Sequence, residues 1–294
     1  MTSLHLRRLA TAFLIGASCL VSTAATAADN PKLVAVKISA TPNIDGKADE
    51  AHWKSGQPVA IMAKGVMPKT RGTSSNVTVR AAYTATHLYL LVQWTDATKS
   101  ESGHKTWAWD ATKNAYVEDT DREDALSVAF EHTGLFTADM LSGEGATWDV
   151  WHWKAFRTNP QGFAMDRSHR YFKSQPTAKA NKHPANSGED VWIARPEDAG
   201  DTVEKKQAAP TENKGPRVPQ YLPGTPTGSA ADVRAKGAWA DGKWTLEFAR
   251  RLDTGNPDDT RFDVARSDKF AVGVHNDTGD MDKATGAMEL SFGK

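Results

Sequence analysis

The chain has 294 residues, with 36 basic and 36 acidic side chains, a formal net charge of zero. A balanced charge excludes an electrostatic nucleic-acid binder, which needs a basic excess. Past the N-terminus no apolar run is long enough to span a bilayer. The single cysteine, Cys19, excludes a disulfide scaffold, a four-cysteine zinc site, an iron–sulfur cluster and covalent CxxCH haem. Ten tryptophans predict broad apolar walls.

The N-terminus reads as an export signal. Arg7 and Arg8 form a positive n-region, residues 9–21 an apolar h-region, and Ala25-Thr26-Ala27 an A-x-A cleavage site. Cleavage after Ala27 predicts a periplasmic mature chain of residues 28–294. Cys19 lies inside the segment removed.

The remainder reads as all-β. Val77, Val79, Ala81 and Tyr83 alternate with polar residues. After a break at 84–87, Leu88, Leu90, Val92 and Trp94 form a second alternating run, the pattern of a hairpin. Further strands are expected at 126–130, 148–156, 244–248 and 270–274, and a single helical turn at 48–53. Short strands separated by Gly, Asp, Asn and Pro clusters predict an antiparallel β-sandwich with long loop insertions and little helix. Residues 174–236 hold over half of the 14 prolines. They are expected as an extended Pro-rich surface excursion inserted into one domain.

Common catalytic signatures are missing: the sequence has no GxSxG, HExxH, Walker A or GxGxxG. The acidic run Glu118-Asp119-Thr120-Asp121-Arg122-Glu123-Asp124 lacks the spacing of an EF-hand and reads as a solvated turn. No two histidines stand at HxH or HxxxH spacing. The distinctive segment is Trp148-Asp149-Val150-Trp151-His152-Trp153-Lys154. On a strand, Trp151 and Trp153 share one face while His152 and Lys154 share the other. An aromatic wall beside a His/Lys wall suits a flat, partly apolar ligand, and indoles that fill the core account for the spacing equally well.

Several phrases together resemble the haem-binding domains of the ethylbenzene dehydrogenase family, a sandwich akin to DOMON domains and family-9 carbohydrate-binding modules. They are Ile44-Asp45-Gly46-Lys47-Ala48-Asp49-Glu50-Ala51-His52-Trp53, the hairpin 77–96, Glu123-Asp124-Ala125-Leu126, and Asp149-Val150-Trp151-His152-Trp153-Lys154-Ala155 with Arg157. Trp244-Thr245-Leu246-Glu247-Phe248 and residues 270–277 complete the set. The resemblance implies a non-catalytic subunit that relays electrons between a molybdenum/iron–sulfur oxidoreductase and a cytochrome or other respiratory partner.

It also implies a non-covalent haem b held by a Met and a Lys. Met140 is the candidate thioether and Lys283 the matching amine, with Met288 and His275 as rivals in the same hairpin. His152 would be a propionate partner or wall residue, and Trp151 and Trp153 the aromatic wall. The alternative is a carbohydrate- or other ligand-binding module without haem. In that reading Trp107 and Trp109 would form an exposed platform.

Overall fold

The alternating segments form strands because each exchanges one face with a core and the other with solvent or a loop. The computed structural model describes residues 30–294 except 67, 143–144, 185–187 and 279–281; the expected export signal and Cys19 lie outside the described residues. In chain order the strands are β1 (Lys32–Lys37), β2 (Val59–Gly65), β3 (Ser74–Tyr83), β4 (His87–Thr95), β5 (Trp107–Asp110), β6 (Ala115–Glu118), β7 (Ala125–Thr133), β8 (Thr147–Lys154) and β9 (Met165–Phe172). They continue as β10 (Asn181–Pro184), β11 (Asp190–Ala194), β12 (Glu204–Lys206), β13 (Arg217–Val218), β14 (Tyr221–Pro223), β15 (Arg234–Ala240), β16 (Lys243–Arg251), β17 (Asp268–His275), β18 (Lys283–Ala284) and β19 (Met288–Phe292). One short helix, α1 (Ala51–Ser55), stands where a helical turn was expected.

Fourteen strands join in one hydrogen-bonded sheet that folds back on itself as a sandwich. Its main path runs β10-β11-β9-β8-β7-β17-β18-β2-β3-β4-β16-β15, and β1 and β19 pair alongside. The pairing is antiparallel except where β1 runs parallel to β19 and β3. The two layers meet through their tryptophans. Trp153 of β8 lies edge-on to Trp94 of β4 at 6.1 Å and to Trp244 of β16 at 5.0 Å. Leu126, Val128, Phe130, Val272 and Val274 face Val79, Leu90, Val92, Leu246 and Phe248 in the same core. Burying aromatics of this size contributes roughly 2–3 kcal/mol each, and it fixes the register, since a one-residue slip would expose the whole set.

Two glycine-dependent features hold the ends. Gly237 of β15 packs so closely on Trp153 that an added Cβ would sit 2.5 Å from Cζ2. Gly46, at φ +82°, lets the turn at Ile44-Asp45-Gly46 press against the backbone of β15. That turn is tied down by Glu247, which accepts from the Asp45 and Gly46 amides at 3.0 and 2.9 Å and from Trp53 Nε1 at 2.9 Å.

The excursion at 174–236 differs from its expectation. β10 and β11 form a hairpin that extends the sheet beyond β9, and Val191, Ile193, Val203 and Gln220 are buried. Its prolines punctuate short strands that still find partners at sheet edges. The acidic run also differs from a solvated turn at its C-terminal end, where Glu123 and Asp124 are buried. Asp124 accepts from Ser100 N, Asp277 N and Trp244 Nε1, so it is a structural carboxylate joining three segments.

Candidate functional site

The sheet formed by β9, β8, β7 and β17 has an outer face as well as a core face. Directly opposed residues of antiparallel strands share a face, so the registers define the outer surface row by row. Val150 lies opposite Ala129, and Ala129 opposite Ala271; His152 lies opposite Ser127, and Ser127 opposite Gly273; Lys154 lies opposite Ala125, and Ala125 opposite His275. On the β9 side, Met165 faces His152 and Arg167 faces Val150. The centre of this face is therefore a shelf floored by Ala125, Ser127, Ala129, Ala271 and Gly273. Small side chains at five neighbouring positions leave room above the sheet for a flat body.

One end of the shelf is apolar. Phe136, Trp148, Val150 and Tyr171 form a buried cluster, with Ala129, Met140 and Ala287 packed against it. The other end opens into a cavity of about 770 Å³, within the size range of small-molecule and cofactor sites. Its lining is basic: Lys69, Lys105, Arg122, Lys154, Arg157, Arg167 and Lys206 outnumber Glu197, Glu204 and Asp277. The excursion supplies Glu197, Glu204, Lys206 and Tyr221 as the far wall, and Trp107 and Trp109 stand nearby, half-buried. Trp107 donates to Gln207 O at 3.3 Å, and Trp109 packs edge-on to Tyr116.

The floor of the cavity is an ion-pair chain. Lys154 Nζ donates to Glu204 Oε1 at 2.9 Å and lies 2.5 Å from Met165 Sδ. Arg157 pairs with Glu204 and Glu123 and stacks on Tyr221. Arg167 reaches Met165 Sδ at 3.3 Å and Glu197 at 3.2 Å. Burial pushes Lys154 down to about 8, with Glu204 pulling the other way. Burial raises the Glu204 carboxyl, but Lys154 and Arg157 outweigh it and hold the group below its ordinary range.

The imidazoles complete the site. His152 stacks on His275 at 5.1 Å and 26°, and His275 Nε2 bonds Ser127 Oγ at 3.2 Å. His152 Nε2 is buried and has no hydrogen-bond partner among the described residues. Burial, reinforced by Lys154 and His275, pushes His152 well below its usual value, so it is a neutral imidazole at neutral pH. Burial and the surrounding arginines and lysines push His104, at the cavity wall, down to about 2. A neutral imidazole nitrogen stands over a basic, partly solvated cavity, an arrangement that suits a transition-metal centre bearing acidic substituents.

Residues 50–285 of the sequence match the ethylbenzene dehydrogenase family. The chain belongs to the ethylbenzene dehydrogenase family. No curated protein matches it. Among solved structures, it is similar to a protein from Bacteroides uniformis at 10% identity and a TM-score of 0.46, over 90% of this chain and 100% of that one. It is also similar to a family-9 carbohydrate-binding module from Caldicellulosiruptor kristjanssonii. In complex with glucose that module gives 10% identity and a TM-score of 0.39, over 89% of this chain and 95% of that chain. In complex with cellotriose it gives 10% and 0.38, over 89% and 93%.

In this ethylbenzene dehydrogenase family member the residues singled out from sequence divide between the two faces. Met140, His152 and His275 belong to the outer face, Met140 at the apolar end and the histidines at the basic end. Trp151, Trp153 and Met288 are fully buried in the sandwich core. Lys283 lies opposite Val274, a core-facing residue, and opposite Gly65 of β2, so its register is that of the core face where β18 joins β17 to β2. Met140 and Lys283 are therefore not brought together. Met165, Arg167 and Glu204 are not visible as site residues in the sequence, Arg157 enters there only through the family resemblance, and Lys154 only as the wall partner of His152. The alternation in the 148–154 segment carried the signal for Lys154, which shares the face of His152. The partner strand β9 adds Met165 and Arg167 through pairing that the sequence does not display.

Proposed function

We propose that this protein is a periplasmic, b-type haem-binding electron-transfer subunit, non-catalytic in itself, that relays electrons to or from a molybdenum-enzyme or respiratory partner. The observation that carries this reading is the outer-face shelf, with small residues as its floor, a buried, unpartnered imidazole nitrogen on His152 and a basic cavity at one end. Membership of the ethylbenzene dehydrogenase family supports haem as the cofactor.

The residues present fit a haem b on three counts. Ala129, Ala271 and Gly273, with Trp148 and Phe136 beside them, offer a flat apolar surface. Met140 and His152 offer a thioether and a neutral imidazole, the donor types that suit haem iron. Lys154, Arg157 and Arg167 offer charge for two carboxylates. When bound, the haem would supply a one-electron couple at iron. Met140 and His152 would hold it, and the three basic side chains would orient its acidic edge. Among the described residues no helix is long and apolar enough to cross a membrane. That agrees with a partner met in solution or at a membrane surface.

The test is an absorption spectrum of the protein from a haem-sufficient periplasm, oxidised and dithionite-reduced, followed by acid–acetone extraction. A Soret band, sharp reduced α and β bands and extractable haem are expected. A colourless protein that stays colourless on haem addition overturns the reading. The carbohydrate- or other ligand-binding module would then take its place.

A further inference from the structure

A second polar cluster lies away from the shelf, between the two layers of the sandwich. Asp149 of β8 and Asp166 and Ser168 of β9 face inward, and the segment after β16 brings in Asp259. One carboxylate oxygen from each of Asp149, Asp166 and Asp259 lies within 4.8 Å of the other two. All three residues are buried, at 1%, 1% and 5% exposure. Arg250 donates to Asp149 Oδ2 at 2.5 Å and to Asp259 Oδ1 at 3.1 Å. Three carboxylates against one guanidinium leave an excess of negative charge in a dry region, which is costly without a further cation or protons.

The free atoms point to which. Asp149 Oδ1 and Asp259 Oδ2 have no hydrogen-bond partner among the described residues, and the oxygens of Asp166 have none beyond the neighbouring buried carboxyl of Asp198. The hydroxyl of Ser168 is likewise unpartnered at 1% exposure. Ser168 lies directly opposite Asp149 in the β8–β9 register, on the same face, so its hydroxyl is aimed at the same space. Unpartnered buried polar atoms are rare, and several sharing one pocket call for a missing partner. Every one of these atoms is oxygen. Ligands on opposite sides of a calcium ion stand about 4.8 Å apart, twice a bond of about 2.4 Å, and the three carboxylate oxygens lie within that limit of one another.

We propose that Asp149, Asp166, Asp259 and Ser168 form a buried site for a hard divalent cation of calcium size. The ion would pin β8 to β9 and to the segment after β16, and so brace the strand that carries His152 from its core side. This site is independent of any cofactor on the outer face.

The test uses the full purified chain, stripped with EDTA and titrated calorimetrically with calcium chloride and, separately, magnesium chloride. One calcium equivalent is expected, with magnesium weaker. A hundredfold excess over Kd should raise the thermal midpoint by about 5 °C or more. Terbium should luminesce on excitation of tryptophan, because the Trp151 ring lies 5.1 Å from the Arg250 guanidinium carbon. Asp166→Asn should abolish these responses. Ser168→Ala, which keeps the fold if Asp166→Asn does not, should weaken calcium binding by roughly tenfold. A wild-type protein without calcium heat, terbium emission or a midpoint response to calcium and EDTA overturns the proposal. A calcium response that survives intact in both variants overturns it equally.

Discussion

The imidazole of His152 stacks on that of His275 across the outer face of the sheet, 5.1 Å between ring centres. The two come from strands separated by β7, and Ser127 of β7 bonds the His275 ring beneath the stack. His275 and Ser127 thus fix the plane of the His152 ring, while burial keeps it neutral. A neutral, oriented imidazole with a free nitrogen is the form that binds a metal.

The first prediction concerns donors. His152→Ala and Met140→Ala should each abolish the sharp reduced α band of the haem-loaded protein. Met140→Ala should also lower the midpoint potential of any haem that remains, because thioether ligation raises it. Lys283→Ala should leave the spectrum unchanged, since its register faces the core. Reduced-minus-oxidised spectra and a potentiometric titration measure all three. A spectrum that changes only in Lys283→Ala would move the site to the other face.

A second prediction follows from Lys154. Burial pushes its ammonium down to about 8, so the positive charge fades as pH rises through that value. Retention of a dicarboxylate cofactor should therefore weaken between pH 7 and 9. Lys154→Arg, charged throughout this range, should remove that pH edge while tolerating the site at pH 7. The rate of haem transfer to apomyoglobin across this pH range reads both.

The third concerns the carboxylate that anchors the opening turn. Burial pushes Glu247 up to about 7, against the hydrogen bonds from Trp53, Asp45 and Gly46. Its folded value lies above its unfolded one, so its stabilising contribution is fully present below about pH 4.5. It is lost progressively as pH rises through 7. Glu247→Gln should flatten stability against pH in that window. Loss of one of the three hydrogen bonds should cost about 1–2 kcal/mol at pH 5. Urea unfolding at pH 5 and pH 8 measures the difference.

The fourth tests the closeness of β15 to Trp153. Asn159 ties the two together: its Oδ1 accepts from Trp153 Nε1 and from Gly237 N, and its Nδ2 donates to Gly237 O. Gly237→Ala places a methyl group where the indole lies and should cost about 1–3 kcal/mol through overpacking. Its effect should appear in the near-ultraviolet dichroism of the tryptophans as well as in the thermal midpoint. A neutral substitution would mean that the indole moves freely.

Most of the β architecture is written in local alternation. In residues 77–83 and 88–94 the alternating set became the core face of a strand, whereas in 148–154 Trp151 and Trp153 turn inward while Trp148 and Val150 join the outer face. The site is less visible because it is assembled across strands. Met140 and His152 stand out as residue types in a sequence, but Met165 and Arg167 acquire meaning only through the β8–β9 register. Glu204 lies in a Pro-rich stretch without periodicity, yet it ends buried between Lys154 and Arg157. Lys283 shows the converse: its position in the C-terminal hairpin was evident, and a two-residue strand decided which face it joins. The inter-layer cluster of Asp149, Asp166 and Asp259 had no local signature, because its members come from three distant segments.

Strand β8 works as a two-sided gear. Its odd-numbered teeth, Asp149, Trp151 and Trp153, mesh with the core, while Val150, His152 and Lys154 mesh with the shelf and cavity. Neither set can advance without the other. A single inserted or deleted residue in β8 would send three core groups into the cavity and an imidazole and a lysine into the dry interior. The chemistry on the outside of this sheet is therefore tuned from within, and repacking Trp151 or Trp153 offers a way to shift His152 without touching any residue that lines its cavity.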